Sequence, residues 1–409
     1  MAPKKKKKAL ETMHAAKAMM EAFKIVDDIE PVNLMHGNHV EDALSSGSLA
    51  LDLVTGGGYG RGRMVTYFGP EASGKSTMLQ EVIASAQRSN IPTTHYDIET
   101  SADKTYMQRQ GINLNWQVKM DAEKSCAGYF CTQPIAGEHV YRHIKATLRR
   151  MHPVDSGPPR ALFIIDSYAS MMAEALADDE EGKQTMALEP RMHSQQMKQI
   201  RGLMRRRGGL LVASNQIRAN IGSWGGGFDE TGGNALKFYP DYRIRMTRKM
   251  KIDHDSTNLR RLLVNWVVMK NRLFPPLKAV EEMGIILGRG IDKAQDAHHF
   301  LEQTGLLSKK AGRRIIEHPD FPDSSLTWAE FRELTERADV RKFFFEMLRQ
   351  QDTYDRFFAH AKDENLTYDA PVAVKAPTGR KKKKKKLTGT SRRTAAIEVS
   401  ETSSEDDEE

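Results

Sequence analysis

Cysteine is nearly absent from this chain, with two in 409 residues, and no apolar run approaches membrane-spanning length. Two cysteines cannot build a disulfide framework. Cys126 and Cys131 also lack nearby partners for a zinc site, so they read as the reduced thiols of an intracellular protein. A spanning helix needs about 20 consecutive apolar residues, so no membrane partner is expected. Lys4 to Lys8 are followed by Ala9-Leu10-Glu11-Thr12-Met13-His14, with no apolar stretch behind the charge, so no secretory signal is expected.

The net charge of +8 sits at the ends of the chain. Residues 1–8 carry five lysines, and residues 371–409 carry ten basic and seven acidic side chains, which leaves 9–370 neutral. Arg380 opens a polybasic run over Lys381 to Lys386, and the chain closes on Glu405-Asp406-Asp407-Glu408-Glu409. Like-charge blocks bury too little apolar surface to fold, so both tails are expected to be disordered. The lysine runs serve either as loose phosphate contacts, as a nuclear-import-like address, or only as solvated tails. Some salt-sensitive attraction to nucleic acid goes with any of these.

Between the tails, 9–39 reads as a helical arm whose stripe of Ala18, Met19, Ala22, Phe23 and Val26 is too small to make its own core. The arm therefore needs a partner surface, on its own domain or on a neighbouring subunit. Strand candidates follow at 64–68, 93–97, 161–165, 210–214, 242–246 and 261–268, with helical segments over 77–88 and 186–204. Leu188, Met192, Gln195, Gln199 and Leu203 mark the turns of the second helix. Strands alternating with helices predict a mostly parallel sheet covered on both faces. Met283 to Leu287 closes this core. Beyond Gly290 the segments 297–306 and 328–348 read as helical, with few strand runs between them, which predicts a small α+β domain over 291–352 and a linker and tail over 353–409.

Gly69-Pro70-Glu71-Ala72-Ser73-Gly74-Lys75-Ser76 fits the phosphate-binding pattern G-x-x-x-x-G-K-[ST] and lies between an apolar strand and an amphipathic helix that continues through Thr77. Such a strand–loop–helix aims successive backbone N–H groups and the positive end of a helix at a polyphosphate. Lys75 would reach the β- and γ-phosphates, and the Ser76 hydroxyl would hold Mg²⁺. The apolar strand at 161–165 ends in Asp166, where a carboxylate would orient the metal shell. A second strand delivers Asp97 and Glu99 to the same edge. Glu99 is the candidate general base for an in-line water, its plainer reading being a capping or surface acid. At the tip of a further strand, an uncharged Gln216 can contact a γ-phosphate without repulsion and so sense hydrolysis.

After Gln216 comes a glycine-rich stretch running from Arg218 past Trp224 and Phe228 to Gly232-Gly233-Asn234. Its aromatics have no periodicity that would bury them. Base stacking, with Arg218 and backbone amides at phosphates, suits a single strand of nucleic acid, and the alternative is a mobile surface loop. Lys270 and Arg272 put two cations at the end of a late strand. They act on a phosphate within the chain, act across a subunit interface, or are simply solvated.

Together, Leu44-Ser45-Ser46-Gly47-Ser48-Leu49-Ala50-Leu51-Asp52, the phosphate loop, the Asp97/Glu99 strand, Phe163-Ile164-Ile165-Asp166-Ser167, Asn215-Gln216-Ile217-Arg218, the run from Thr231 to Tyr239 and Met269-Lys270-Asn271-Arg272 closely resemble RecA-type recombinases over about residues 40–290. The resemblance implies a RecA-like ATPase core, a polymerisation arm before residue 40 and the family's C-terminal domain after 290. It implies ATP and Mg²⁺ as cofactors, with Lys75, Ser76 and the rest of the loop on the nucleotide and Asp166 at the metal. Glu99 would be the catalytic carboxylate, Asp103 and Tyr106 would contact the adenine, and Gln216 would be the γ-phosphate sensor. Lys270 and Arg272 would reach the ATP of the adjacent protomer. DNA loops would fall near 176–183 and 217–233, the second one residue shorter than the family's and the first strongly acidic through Asp178-Asp179-Glu180-Glu181. Residues 116–130 look like an insertion, and Arg272 stands where bacterial RecA has lysine, which changes the donor geometry.

The implied partners are single-stranded DNA, homologous duplex DNA and further copies of the chain in a helical filament, with a single-strand-binding protein and a mediator as accessories. The short arm and the charged tails point to a bacteriophage-encoded, UvsX-like member acting in a bacterial host cytoplasm. A helicase-type motor of the same fold and a non-catalytic recombination mediator are the alternatives. The acidic tail would compete with DNA for basic surface. Deleting 398–409 is expected to strengthen single-strand binding at low salt, read by fluorescence anisotropy, and unchanged affinity would count against this electrostatic brake.

Overall fold

A computed structural model describes residues 17–18, 21, 42–115, 128–154, 156–177, 188–219, 228–254, 260–273, 279–322, 325–350 and 352–357. Lys17, Ala18 and Glu21 are helical; the rest of the expected arm, the first DNA loop apart from Leu176 and Ala177, and both tails lie outside the described residues. In chain order the elements are α1 (Leu49–Thr55), β1 (Met64–Gly69), α2 (Lys75–Arg88), β2 (Thr93–Asp97), α3 (Lys104–Arg109), β3 (Tyr129–Thr132), α4 (Gly137–Arg150), β4 (Ala161–Asp166), α5 (Glu174–Ala177) and α6 (Leu188–Arg207). There follow β5 (Gly209–Ala219), β6 (Phe228–Glu230), α7 (Ala235–Phe238), β7 (Tyr242–His254), β8 (Arg260–Asn271), β9 (Ala279–Ile286) and β10 (Gly290–Ile291). The last are α8 (Lys293–Gln303), β11 (Leu307–Lys310), β12 (Arg313–Ile316), α9 (Trp328–Glu336) and α10 (Ala338–Met347).

The main sheet has the order β10-β9-β8-β7-β1-β5-β4-β2-β3. From β3 to β7 every pairing along this order is parallel, and β7 to β10 are joined antiparallel. Every residue of β1 and β4 is buried, which is why both appear in the sequence as unbroken apolar runs. Side chains alternate between two cores. Leu162, Ile164, Leu210 and Val212 pack toward α1 and α2, while Phe163, Ile165, Leu211 and Ala213 pack toward α4 and α6.

The segment after β10 shares the first of these cores: Phe300, Leu301, Phe331, Phe344 and Phe357 belong to the same apolar cluster as Leu49 and Val82. Two buried carboxylates fasten it. Asp292 caps α8, pairs with both terminal nitrogens of Arg332 at 2.9 Å and meets Arg261 at 3.2 Å. Asp296 pairs with Arg341 at 3.1 Å and accepts from the Leu49 and Ala50 amides at 3.0 and 3.1 Å, where a negative charge complements the N-terminal end of α1.

Several expectations are corrected in detail. The helix expected over 186–204 buries Met192, His193, Met197, Ile200 and Met204; of the expected turn markers Met192 is inward and Leu203 packs half-buried against the same cluster, whereas Gln195 and Gln199 are exposed. The inward positions hold methionines and a histidine, which a leucine-led reading of the stripe does not pick out. The helical stretch over 328–348 is two helices, broken where Arg337 adopts extended backbone (φ −62°, ψ 136°). The helix expected over 297–306 is α8, and Leu306 already leads into the β11–β12 hairpin. The supposed insertion over 116–130 ends in β3, because Tyr129 and Phe130 pair with Thr93 and Thr94 at the sheet edge.

His95 and His193 lie inside this fold, with Nδ1 at 2.9 Å from the Tyr129 hydroxyl and 2.6 Å from the Tyr141 hydroxyl. Burial lowers both to about 4. Since the folded values lie below the ordinary imidazole value near 6.5, the unfolded chain binds more protons between these limits. The part of the stability that these two histidines govern should be fullest above about pH 6.5 and fall as pH drops toward 4, while the buried Asp52, raised to about 7, acts in the opposite sense over the same window. Urea midpoints of the parent and of a His95→Gln/His193→Gln variant across this window test it, and their difference should carry this dependence.

Candidate nucleotide site

Parallel strands bring their carboxyl ends to one edge, and the register decides which side chains meet there. Gly69 pairs with Gln216, and Asp97 pairs with Asp166. The edge opens into a cleft of about 810 Å³ that includes Glu71 to Thr77, Glu99, Asp103, Tyr106, Asp166 and Gln216 in its lining.

The loop between β1 and α2 requires two of its glycines. A Cβ on Gly69 would overlap the Met246 carbonyl oxygen of β7, a backbone atom that cannot move aside. Gly74 caps α2 at φ +86°, and a Cβ there would run into the Ile285 side chain. The Ser73 hydroxyl donates to the Pro70 carbonyl at 2.8 Å and ties the loop across itself. Helix α2 begins at Lys75, two residues before the expected start. The Lys75 ammonium donates to the Gly69 and Pro70 carbonyls at 3.2 and 2.7 Å. Burial pulls its pKa below the ordinary lysine value, while Asp166, Glu99 and Glu71 act in the opposite direction.

Asp166 is buried at the end of β4 and accepts from the Ser214 hydroxyl and from Ser76. Burial raises its pKa, those two hydroxyls lower it, and Glu99 and Asp97 raise it further. Among the described residues no three His, Cys, Asp or Glu side chains gather into a metal cage. A hydroxyl and one carboxylate suit Mg²⁺, which completes its shell with water and phosphate oxygens.

Glu99 is held by three donors on a single oxygen, Oε1: the Ser167 hydroxyl, the Ser170 hydroxyl at 3.1 Å and the Gln216 amide at 3.2 Å. Asp97 is employed differently. Its oxygens accept the Ser101 and Ala102 amides at 3.0 and 3.3 Å and the Gln133 amide at 3.2 Å, so it shapes the turn after β2 and does not line the cleft. Asp103 caps α3 by accepting the Tyr106 amide at 2.6 Å, and the Tyr106 hydroxyl meets the Thr77 hydroxyl at 2.9 Å.

Beyond Gln216, β5 runs on through Arg218 and pairs with β6, and Thr231 ties back to Asn215 and to the Gln216 carbonyl. Gly232 and Gly233 form the following turn against α6, and Asn234 caps α7. Trp224 lies outside the described residues, as do the side chains of Arg218 and Phe228.

Lys270 and Arg272 are not in this cleft. Strand β8 runs antiparallel to β7, so Lys270 lies opposite Arg243, and Asn271 opposite Tyr242, which in turn pairs with Val65 near the start of β1. The phosphate loop follows the other end of β1, so contact with a phosphate in the chain's own cleft is ruled out. The Lys270 ammonium donates to the Phe238 carbonyl at 2.7 Å, and Arg272 donates to the same carbonyl at 3.1 Å.

Sequence reasoning also missed cleft residues. Leu262, Ile285, Leu287 and Gly288 arrive from β8, β9 and the turn after it, and Thr105 and Arg109 from α3. Leu287 is 47% exposed, an apolar surface of the kind a flat ring would cover. No local motif marks these residues, since only the antiparallel half of the sheet brings β9 alongside the loop.

Fold and cleft define a phosphate-loop nucleotide-binding protein of the α/β class. Residues 27–292 match the family described as the RecA N-terminal domain. Protein RecA of Zymomonas mobilis is 34% identical over 273 residues, covering 66% of this chain and 70% of that protein. Protein RecA of Ectopseudomonas oleovorans is 33% identical over 284 residues, covering 67% and 75%, and that of Cytophaga hutchinsonii is 32% identical over 268 residues, covering 65% and 70%. The chain belongs to the RecA family.

The packing of the loop yields a direct expectation. Gly69→Ala should destabilise the protein by roughly 1–3 kcal/mol, because the added methyl meets backbone. Gly202→Ala, inside α6 with open space around it, should be neutral or stabilising. Denaturant midpoints of the two variants check the contrast.

Proposed function

We propose that the chain is a DNA-dependent ATPase that assembles as a filament on single-stranded DNA and pairs it with homologous duplex DNA for strand exchange. Its settings would be recombination, repair and recombination-dependent replication. The observation that carries this reading is the course of β5. One strand flanks the phosphate loop, presents Gln216 to Glu99, and then continues into the glycine-rich loop with Trp224. A displacement of Gln216 by a γ-phosphate would therefore be felt by the segment suited to hold DNA, and the reverse.

The residues divide the chemistry between them. Ser76 and Asp166 would hold Mg²⁺, and the loop amides and Lys75 would hold the triphosphate. Glu99, steadied by Ser167 and Ser170, would accept the proton of an in-line water. Asp103 and Tyr106, with Leu287 nearby, would receive the base. Arg218, Trp224, Phe228 and Gly232 to Asn234 would meet the single strand. ATP bound with Mg²⁺ supplies the labile phosphoanhydride bond.

Assembly is supported by the placement of Lys270 and Arg272 on the edge opposite the loop, where they would serve the nucleotide of a neighbouring copy. Phe238 and Met269 lie beside them, 67% and 50% exposed. The residues before the core would form the polymerisation arm, and those after β10 the small C-terminal domain. The short arm and charged tails favour a bacteriophage-encoded protein working in a bacterial cytoplasm, with a single-strand-binding protein and a mediator as accessory partners.

ATP hydrolysis should rise on addition of single-stranded DNA, and Lys75→Ala should abolish it, as measured by phosphate release. Hydrolysis indifferent to DNA would overturn the reading, and strand displacement on rings without strand exchange would point instead to a helicase-type motor.

A further inference from the structure

At the sheet edge away from the phosphate loop, one fully buried carboxylate is surrounded by guanidinium groups. Asp241 Oδ1 lies 3.5 Å from Arg63, 3.5 Å from Arg201, 3.7 Å from Arg272 and 3.9 Å from Arg205. Its other oxygen accepts the Met64 amide at 3.2 Å. Arg201 and Arg205 are one helical turn apart on α6 and so project from the same face. Arg272 and Lys270 come from the end of β8. Burial and the neighbouring Arg272 and Arg243 push Lys270 down to about 8, and Asp241 is the one acid among the main charges acting on it. A single carboxylate does not neutralise this group, and a partly exposed patch of cations in excess attracts a further anion.

The surroundings identify the kind of anion. Phe238, Met269 and Leu273, which are 67%, 50% and 40% exposed, lie along the same chain segments. Exposed phenylalanine, methionine and leucine beside arginine are the composition of a protein interface centre, where a free ion or a solvated strand of nucleic acid would leave the apolar groups in water. The anion should therefore arrive on a protein surface. The opposite edge of this chain offers a match: a cleft whose charged lining is Glu71, Glu99, Asp103 and Asp166 with Lys75 and Arg109, built around a polyphosphate loop. A cationic edge meeting an anion-bearing edge is a head-to-tail contact that repeats from copy to copy.

We propose that Arg201 and Arg205 join Lys270 and Arg272 as a receptor for the nucleotide phosphates of an adjacent copy, with Asp241 holding the guanidiniums in place until that anion arrives. The proposal rests on the edge-to-edge assembly described above and adds to it two arginines from α6 and the acid that organises them. Arg205, with half its side chain exposed, and Arg201 and Arg272 would turn from Asp241 toward the phosphates. Arg63, the least exposed of the four, would remain the partner of the carboxylate.

The test is ATP turnover on single-stranded DNA. Arg201→Gln/Arg205→Gln is expected to lose roughly a hundredfold, as when a donor to developing phosphoryl charge is removed. Arg205→Gln alone removes a half-exposed side chain without disturbing the fold and should lose part of that. Arg201→Lys/Arg205→Lys, keeping the charge, should recover most of it. Mixing Arg201→Gln/Arg205→Gln with Lys75→Ala should restore turnover that neither shows alone, because an intact loop then faces an intact cationic edge. Normal turnover in the arginine variants, or no recovery in the mixture, overturns the proposal. Lys270→Gln separates the two layers. If it is inactive while the arginine variants are normal, only the role of Arg201 and Arg205 falls. If it too is fully active, the edge-to-edge assembly falls with it.

Discussion

The placement of β1 between β5 and β7 is the constraint on which the site depends. Gly69 can end β1 between Gln216 of β5 and the Met246 carbonyl of β7 only because it has no side chain to meet that carbonyl. With that close approach the phosphate loop, the Gln216 amide and the Glu99 carboxylate share one edge, and the loop can turn directly into α2. A wider spacing there would shift the phosphate loop away from Met246 and from Ile285, the part of the cleft wall that β9 supplies. Sheet geometry, and not any one side chain, places the phosphate loop, Gln216 and Glu99 on one edge.

Burial does the rest by keeping charges in tension. Lys75 is pulled toward neutrality and Asp166 toward protonation by the same loss of water, and Asp166 favours the charged form of Lys75. Neither is strongly satisfied by the protein alone, since Lys75 relies on loop carbonyls and Asp166 on hydroxyls. Such groups gain most from a ligand that brings both signs at once, which is what a polyphosphate with a divalent cation provides. Asp292 and Asp296 show the contrasting case. Asp292 is met by Arg332 and Arg261, Asp296 by Arg341 and the start of α1, and what they hold is the C-terminal segment.

Much of this was legible from sequence where physics acts locally. β1 and β4 are buried on both faces, so their apolar runs declare them, and the loop pattern between β1 and α2 marks the phosphate site. Legibility failed where the determinant is tertiary. α6 turned a face of methionines and a histidine inward, and β3 is too short to show a pattern. Leu287 and Gly288 join the cleft only because β9 folds back beside the loop. Asp97 was expected at the same edge as Glu99, yet the Ser101 and Ala102 amides and Gln133 claim it for the turn after β2. Lys270 and Arg272 stood out as cations without an acid nearby in sequence. Asp241 lies far from them along the chain and meets Arg272 only across the β7–β8 pairing.

That last pairing gives the molecule its polarity. A purely parallel sheet would gather all its strand ends at one edge and leave the other to helix termini and turns. Because β8 runs backward, a strand end bearing Lys270 and Arg272 is carried to the far edge, next to the basic final turns of α6. One edge thus carries a polyphosphate loop among carboxylates, and the other an excess of arginine and lysine within an apolar rim. A single copy cannot bring the two together, since β1 separates them along its length. In the proposed assembly a second copy would bring them together head to tail, a repeat that stays open as a filament where its rotation does not close into a ring.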